Sequence, residues 1–219
     1  MQMYGVAQMV LRRLRGGMED LIPLVGAMVE QYPLVPAWRC GFAYIYRELG
    51  RRDEAREQLE VLAADNFAPL PRDGNWMVAA AILSLVCHLV DDKDRAAVLY
   101  DELVQYEDFV VLVGLPADAL GSAHHFLMLL AATLERWDDF EHHARQALTR
   151  HEQMGTLPWL ATTQIELANV LITRKHAGDT DLARPLLNAA HTTCEQLGMH
   201  ALASRADVAL EKIATSDPF

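Results

Sequence analysis

The stretch "LGRRDEAREQL" at residues 49–59 contains a glycine, a run of charged residues and a small residue, after which apolar positions follow at helical spacing. A small or apolar residue likewise follows an acidic turn, and amphipathic spacing continues after it, in "VDDKDRAAVLYDEL" (90–103), "LERWDDFEHHARQAL" (134–148) and "GDTDLARPLLNAA" (178–190). The equivalent positions are Ala55, Ala96, Phe140 and Ala183, at intervals of 41, 44 and 43 residues. Such a period is typical of stacked helical hairpins. The sequence therefore predicts an all-α fold, an α-solenoid of antiparallel helix pairs.

Helical periodicity extends along the whole chain, since apolar residues recur every three or four positions and alternation of the strand type is nearly absent. Glycine, proline and acidic turns divide the chain into about eleven helices. The β-branched run "FVVLV" (109–113) is short and ends at Gly114-Leu115-Pro116, so no sheet of three or more strands is expected. Residues 1–219 are predicted to form a single helical-repeat domain.

Composition restricts the classes of partner. A net charge of -11 opposes binding to the phosphate backbone of a nucleic acid. The longest apolar run, residues 76–90, is too short to span a bilayer, so no membrane partner is expected. Cys40, Cys87 and Cys194 each lie in an apolar helical pattern, which predicts buried free thiols and a reducing cytoplasm.

Several short stretches carry a resemblance to a known family. They are Gln2-Met3-Tyr4, "YPLVPAWR" (32–39), "LPRDGNW" (70–76), Leu99-Tyr100, Gly121-Ser122, "LLAATLERWD" (129–138) and "MGTLPWLA" (154–161). In order and spacing they resemble the tetratricopeptide-like helical-repeat region at the carboxyl end of large bacterial signal-transduction ATPases and transcriptional regulators. This resemblance implies a sensory or binding role. The chain departs from the family at His124, His125 and Met128, where arginine and glycine are expected, and its repeats exceed the usual tetratricopeptide period of about 34 residues.

In a tetratricopeptide-like hairpin the first helix lines the concave face, so candidate ligand contacts can be projected by counting back from each turn. This projection gives Tyr44, Arg47, His88, Ser122, His125 and Asn169. Two tryptophans near hairpin starts, Trp76 and Trp159, could stack a planar ligand. In "PLPRDGNWMV" (69–78), Arg72, Asp73 and Trp76 either rim the groove or only begin a helix, with Asp73 or Asn75 as its cap.

Two functions are compatible with these residues. The leading interpretation is a binding module that recognises a small molecule or a partner segment in the concave groove. The alternative is a stand-alone, cofactor-independent enzyme for an acid–base condensation or cyclisation, in which His125 acts beside Asp73 or Glu166. No metal is predicted, because the neighbours in His124-His125 and in His142-His143 point about 100° apart on a helix. A homodimer is left open.

Overall fold

The computed structural model describes residues 2–113 and 118–216. Within these ranges the chain is mostly helical, which confirms the all-α prediction. The α-helices are α1 (Gln2–Arg15), α2 (Ile22–Gln31), α3 (Pro36–Glu48), α4 (Arg52–Leu62), α5 (Ala64–Phe67), α6 (Trp76–Val90), α7 (Lys93–Leu103), α8 (Ala123–Thr133), α9 (Trp137–Gln153), α10 (Leu157–Arg174), α11 (Asp179–Leu197) and α12 (His200–Ser216). Short 3-10 helices η1 (Met18–Leu21) and η2 (Val104–Tyr106) and strands β1 (Val110–Val113) and β2 (Asp118–Ser122) complete the described part.

The repeated sequence forms the turn between the two helices of a pair. Gly50, Asp91 and Glu135 have positive φ angles of 68°, 57° and 56°, and each lies between a first and a second helix. In every case the next amide donates to the carbonyl five residues earlier, at 2.9, 3.0 and 2.9 Å. This hydrogen bond closes the first helix with a left-handed residue, and the acidic residues that follow lie in the first turn of the second helix.

Some of the pairs contact each other through their first helices. Helix α3 contacts α6, and α6 contacts α8, whereas α10 packs mainly on α9, α11 and α12. Helix α1 contacts α12, so the amino-terminal helix lies against the carboxyl-terminal one. Arg13 on α1 also donates a hydrogen bond of 2.8 Å to Thr162 on α10. Residues from distant parts of the sequence therefore meet along the first helices of the pairs.

Helix α8 is central to this arrangement. Every one of its residues is buried, in agreement with its nearly uniform apolar composition. It packs against α6, α7 and α9, with fewer contacts to α10 and β2. A side chain on α8 therefore faces protein on all sides of the helix.

A small β-hairpin precedes α8. Strands β1 and β2 are antiparallel and pair Val110 with Ser122 and Leu112 with Ala119. The strand at residues 110–113 was not predicted, whereas the expectation of no sheet with three or more strands agrees with the two-stranded sheet of the described residues. The predicted break at Gly114-Leu115-Pro116 lies outside the described residues. No helix in the described part of the chain is long and apolar enough to cross a membrane.

Candidate functional site

Five charged side chains meet between four helices. They form the inner cluster, composed of Arg13 (α1), Arg47 and Glu48 (α3), Glu166 (α10) and Arg205 (α12). All but Arg205 have side chains no more than 7% exposed, and that of Arg205 is 31% exposed. The cluster is therefore buried at one end and reaches solvent beside α12.

Glu166 holds the two sides of the inner cluster together. Its Oε1 accepts hydrogen bonds from Arg47 Nη2 and from Arg205 Nη2, each at 2.5 Å. Glu48 accepts from Arg47 Nη1 at 2.6 Å and from Arg205 Nη1 at 3.3 Å. Arg13 Nε lies 3.5 Å from Glu48 Oε2. Three guanidinium groups thus share two carboxylates, which leaves one excess positive charge in a poorly hydrated place.

The protonation states follow from these contacts. Burial by itself would raise the pKa of the Glu166 carboxyl, but the attraction of Arg47 and Arg205 outweighs it and holds that pKa well below its usual range. The pKa of Glu48 is lowered by the same balance of burial against neighbouring arginines. Both side chains are carboxylates at neutral pH, so neither is poised to act as a general acid.

Two further projected residues lie close to the inner cluster. Burial raises the pKa of the Tyr44 hydroxyl, and the charges of Arg13, Glu48 and Arg47 also act on it. His88 Nδ1 is 3.0 Å from Thr133 Oγ1, which itself donates to the carbonyl of Leu129. Because the Thr133 hydroxyl proton is donated to the Leu129 carbonyl, the Thr133 oxygen can only accept from His88, and His88 Nδ1–H is the donor. Burial lowers the pKa of His88, which keeps it neutral.

His125 belongs to a chain of buried hydrogen bonds. The Ser122 amide donates to His151 Nε2 at 2.9 Å, so the proton of His151 is on Nδ1. That N–H points to Thr163 Oγ1 at 3.1 Å, and the Thr163 hydroxyl lies 2.9 Å from His125 Nδ1. The remaining proton is therefore on His125 Nε2, for which no acceptor lies within reach among the described residues.

The indole of Trp159 connects this chain to the inner cluster. The guanidinium carbon of Arg13 lies 4.5 Å from the Trp159 ring centroid, and the His125 ring is edge-on to the same indole at 5.4 Å. Trp159 Nε1 donates to the carbonyl of Ala119 on β2 at 2.7 Å. The free N–H of His125 and the buried guanidinium of Arg13 thus both lie beside one aromatic ring.

The structure places His125 differently from the projection, which expected it on an open groove. Its side chain is fully buried, since α8 is covered on all sides. Ser122 is also buried, and its Oγ accepts from the His124 amide at 3.3 Å as the cap of α8. Asn169 is half-buried on α10.

The segment at residues 69–78 forms a separate surface. Asp73 is exposed, and its Oδ1 accepts from the Asn75 amide at 2.8 Å, which closes a turn ahead of α6. The expected side-chain cap from Asp73 or Asn75 is wrong, because α6 begins without a side-chain hydrogen bond to its first turn. Arg72 stacks over Trp76 at 4.3 Å and pairs with Glu102 at 2.8 Å. These residues belong to a surface network rather than to the inner cluster.

A group of histidines lies between α8 and α9. Glu107, His124, His142 and His143 each offer a ligand atom, and these four atoms lie within 4.8 Å of one another. Adjacent histidines on one helix point apart, but here α8 and α9 each contribute ligands to one place. We call this group the histidine cluster.

Three members of the inner cluster escaped the sequence analysis. Arg13 and Arg205 lie on the first and last helices, outside the repeating pairs, so counting back from a turn does not reach them. Glu48 adjoins the projected Arg47, and a charged residue in the last turn of a helix signals solvent as readily as burial. The packing of α1 on α12 brings Arg13 and Arg205 to the same region, where both pair with Glu48 of α3.

Comparison with known proteins gives no match: no family model, no curated protein sequence and no solved structure is similar to this chain.

Proposed function

We propose that this protein is a tetratricopeptide-like α-solenoid that binds a carboxylate-bearing ligand, either a small molecule or a partner segment, along the inner face of its first helices. The proposal extends the resemblance to the sensory tail of a bacterial regulator. Three buried free thiols support a reducing, cytoplasmic setting.

The inner cluster is the observation that carries this proposal. Buried charges are rare in proteins, because desolvation of a charge costs several kcal/mol unless good pairing offsets it. Here three arginines share two glutamates, and the guanidinium of Arg205 is partly exposed beside α12. A ligand carboxylate would neutralise the excess positive charge and could accept two parallel hydrogen bonds from a guanidinium.

Neighbouring groups add to this recognition. The N–H of His125 Nε2 is a buried donor without an acceptor in the described structure, and the Trp159 indole beside it provides an apolar, aromatic wall. A few convergent polar groups against aromatic surface are the usual makeup of a ligand site. Helix α1 covers this face through Arg13, so access along it depends on how tightly α1 packs.

Thermal shift and calorimetric titration can test the proposal. The probes are simple mono- and dicarboxylates, a peptide with a free carboxyl terminus and inorganic phosphate. A carboxylate that binds should raise Tm by mass action. Arg205→Ala removes a charge-assisted hydrogen bond and should weaken binding roughly 10- to 100-fold.

Arg52→Ala is the matched control, because Arg52 is an exposed arginine on α4 outside the inner cluster. It should bind the carboxylate as the wild type does. The proposal fails if no carboxylate stabilises the wild type, or if Arg205→Ala and Arg52→Ala bind it equally well.

The enzyme alternative requires His125 and an acidic partner to exchange protons with a substrate. Glu166 is a carboxylate tied to two arginines, and Asp73 caps an exposed turn. Burial lowers the pKa of His125 well below its usual value, so a neutral imidazole is maintained there. These states suit recognition better than proton transfer.

A further inference from the structure

The histidine cluster plays no part in the proposed binding function. Glu107 follows η2, His124 is in the first turn of α8, and His142 and His143 are consecutive on α9. Three imidazoles and one carboxylate, from three separate segments, thus point to one place. Surface acidic groups often collect without a ligand, but three converging histidines, two of them buried, need a physical reason.

The distances suit a single metal ion. Zinc binds histidine nitrogens at about 2.0–2.1 Å, which places the ligand atoms of a tetrahedral site about 3.3 Å apart. In the histidine cluster His124 Nδ1 and His143 Nδ1 are 2.9 Å apart, and the four ligand atoms lie within 4.8 Å of one another. Small rotations of the side chains would therefore bring all four atoms to bonding distance.

The surroundings support coordination through His143 Nδ1. Its other nitrogen, Nε2, lies 3.1 Å from the Tyr100 hydroxyl, which can accept that N–H. Metal-binding histidines usually donate their second N–H to such a partner, which fixes the tautomer and the orientation of the ring. Burial and the nearby Asp139 carboxylate raise the pKa of the Tyr100 hydroxyl, so a negative charge lies beside this outer shell.

The local charge also favours a divalent cation. Glu107 and Asp139 are the acidic groups near the three imidazoles, and the neighbouring Asp108 is paired with Arg150. The positive charge of Arg150 also acts on His124, but the charges of Glu107 and Asp139 match a 2+ ion. His142 is exposed and gives the ion a path from solvent.

We propose that Glu107, His124, His142 and His143 bind one Zn²⁺ ion. An imidazole-rich set favours zinc or a similar transition metal over Mg²⁺ or Ca²⁺, which prefer oxygen ligands. Four protein ligands complete a tetrahedral shell, so this is a structural site. The ion ties the segment after η2 to the α8–α9 pair.

A competition titration can test the proposal. The full chain is first stripped of metal with a chelator, and that chelator is removed. ZnCl₂ is then added in the presence of a chromophoric chelator, which competes for the ion. One ion per chain should bind, and MgCl₂ should not compete. At free zinc about a hundred times the Kd, Tm should rise by roughly 5 to 10 °C. Native mass spectrometry gives the stoichiometry independently.

Variants at the accessible ligands avoid damage to the core. His142→Ala and Glu107→Gln should each weaken zinc binding more than about tenfold, and Tyr100→Phe should weaken it about 10- to 100-fold through the outer shell. His200→Ala, an exposed histidine at the start of α12, is the control and should bind as the wild type does. The proposal is overturned if the wild type binds zinc no more tightly than the His142→Ala/Glu107→Gln double variant.

Discussion

Replacing Glu166 with glutamine should destabilise the fold strongly. The substitution keeps the shape of the side chain but removes the charge that pairs with Arg47 and Arg205 at 2.5 Å. Arg47 is buried, so its charge would keep only Glu48 as a partner. Removing one partner of a buried ion pair costs about 3–5 kcal/mol. For a chain of this size that corresponds to a fall in Tm of roughly 6 to 20 °C.

Urea unfolding monitored by circular dichroism, together with thermal melts, measures this loss. Glu102→Gln is the matched control, because the Glu102–Arg72 pair has a similar distance of 2.8 Å but side chains 37% and 59% exposed. Such a surface pair contributes at most about 1 kcal/mol. A Glu166→Gln protein as stable as Glu102→Gln would refute the argument that the inner cluster is desolvated and closely paired.

Three further outcomes follow from the structure. Gly121→Ala should be much more destabilising in urea than Gly178→Ala: both glycines have φ of 85°, but a Cβ at Gly121 would lie 2.7 Å from His151 Nε2, whereas none of the described atoms lies within 4 Å of one at Gly178. Acid should destabilise the fold in melts at stepwise pH, because burial lowers the pKa of His151 to about 4 and that of His125 well below 6.5. As the pH falls, the unfolded chain takes up protons before the folded one does. The contribution of these neutral histidines to the free energy of unfolding is therefore complete above pH 6.5 and is lost as the pH falls towards 4, on the order of 3 kcal/mol for His151. A stability that does not change between pH 6.5 and 4 would contradict this. The three buried cysteines, whose thiol pKa values are raised by burial, should resist a thiol reagent until denaturant is added, and rapid native labelling would show that they are accessible.

The sequence predicts the helices and their turns well because those features are local. A left-handed residue followed by acidic residues specifies a turn without reference to the rest of the chain, as at Gly50 and Asp91. The β-hairpin was missed because β2, "DALGS" (118–122), has none of the usual strand composition and pairs only because β1 lies beside it. Its formation depends on tertiary context.

The candidate site was predictable only as far as the repeat extends. Counting back from the turns selected Arg47 as a ligand contact, and Glu166 was proposed as the acidic partner in the enzyme alternative. In the structure these two side chains form a hydrogen-bonded ion pair. The same projection took α8 for a groove-lining helix, although its apolar residues on every face indicate a buried one. Arg13 and Arg205 come from terminal helices, whose docking no local pattern specifies.

The repeat contains more information than its period, because the turn also fixes which residues face each other across a pair. The residue eleven positions before the left-handed turn residue contacts the residue eight positions after it. With Gly50 as the turn residue, Arg39 donates a hydrogen bond of 2.8 Å to Gln58. With Glu135 as the turn residue, His124 and His143 are joined at 2.9 Å. In the pair between them, the corresponding positions are occupied by two buried apolar residues, Ala80 and Leu99. The aligned turns thus place a polar contact in the first pair, two buried apolar residues in the second and two histidines in the third. Applied to the sequence, this register brings His124 and His143 together across two helices, where spacing along a single helix cannot.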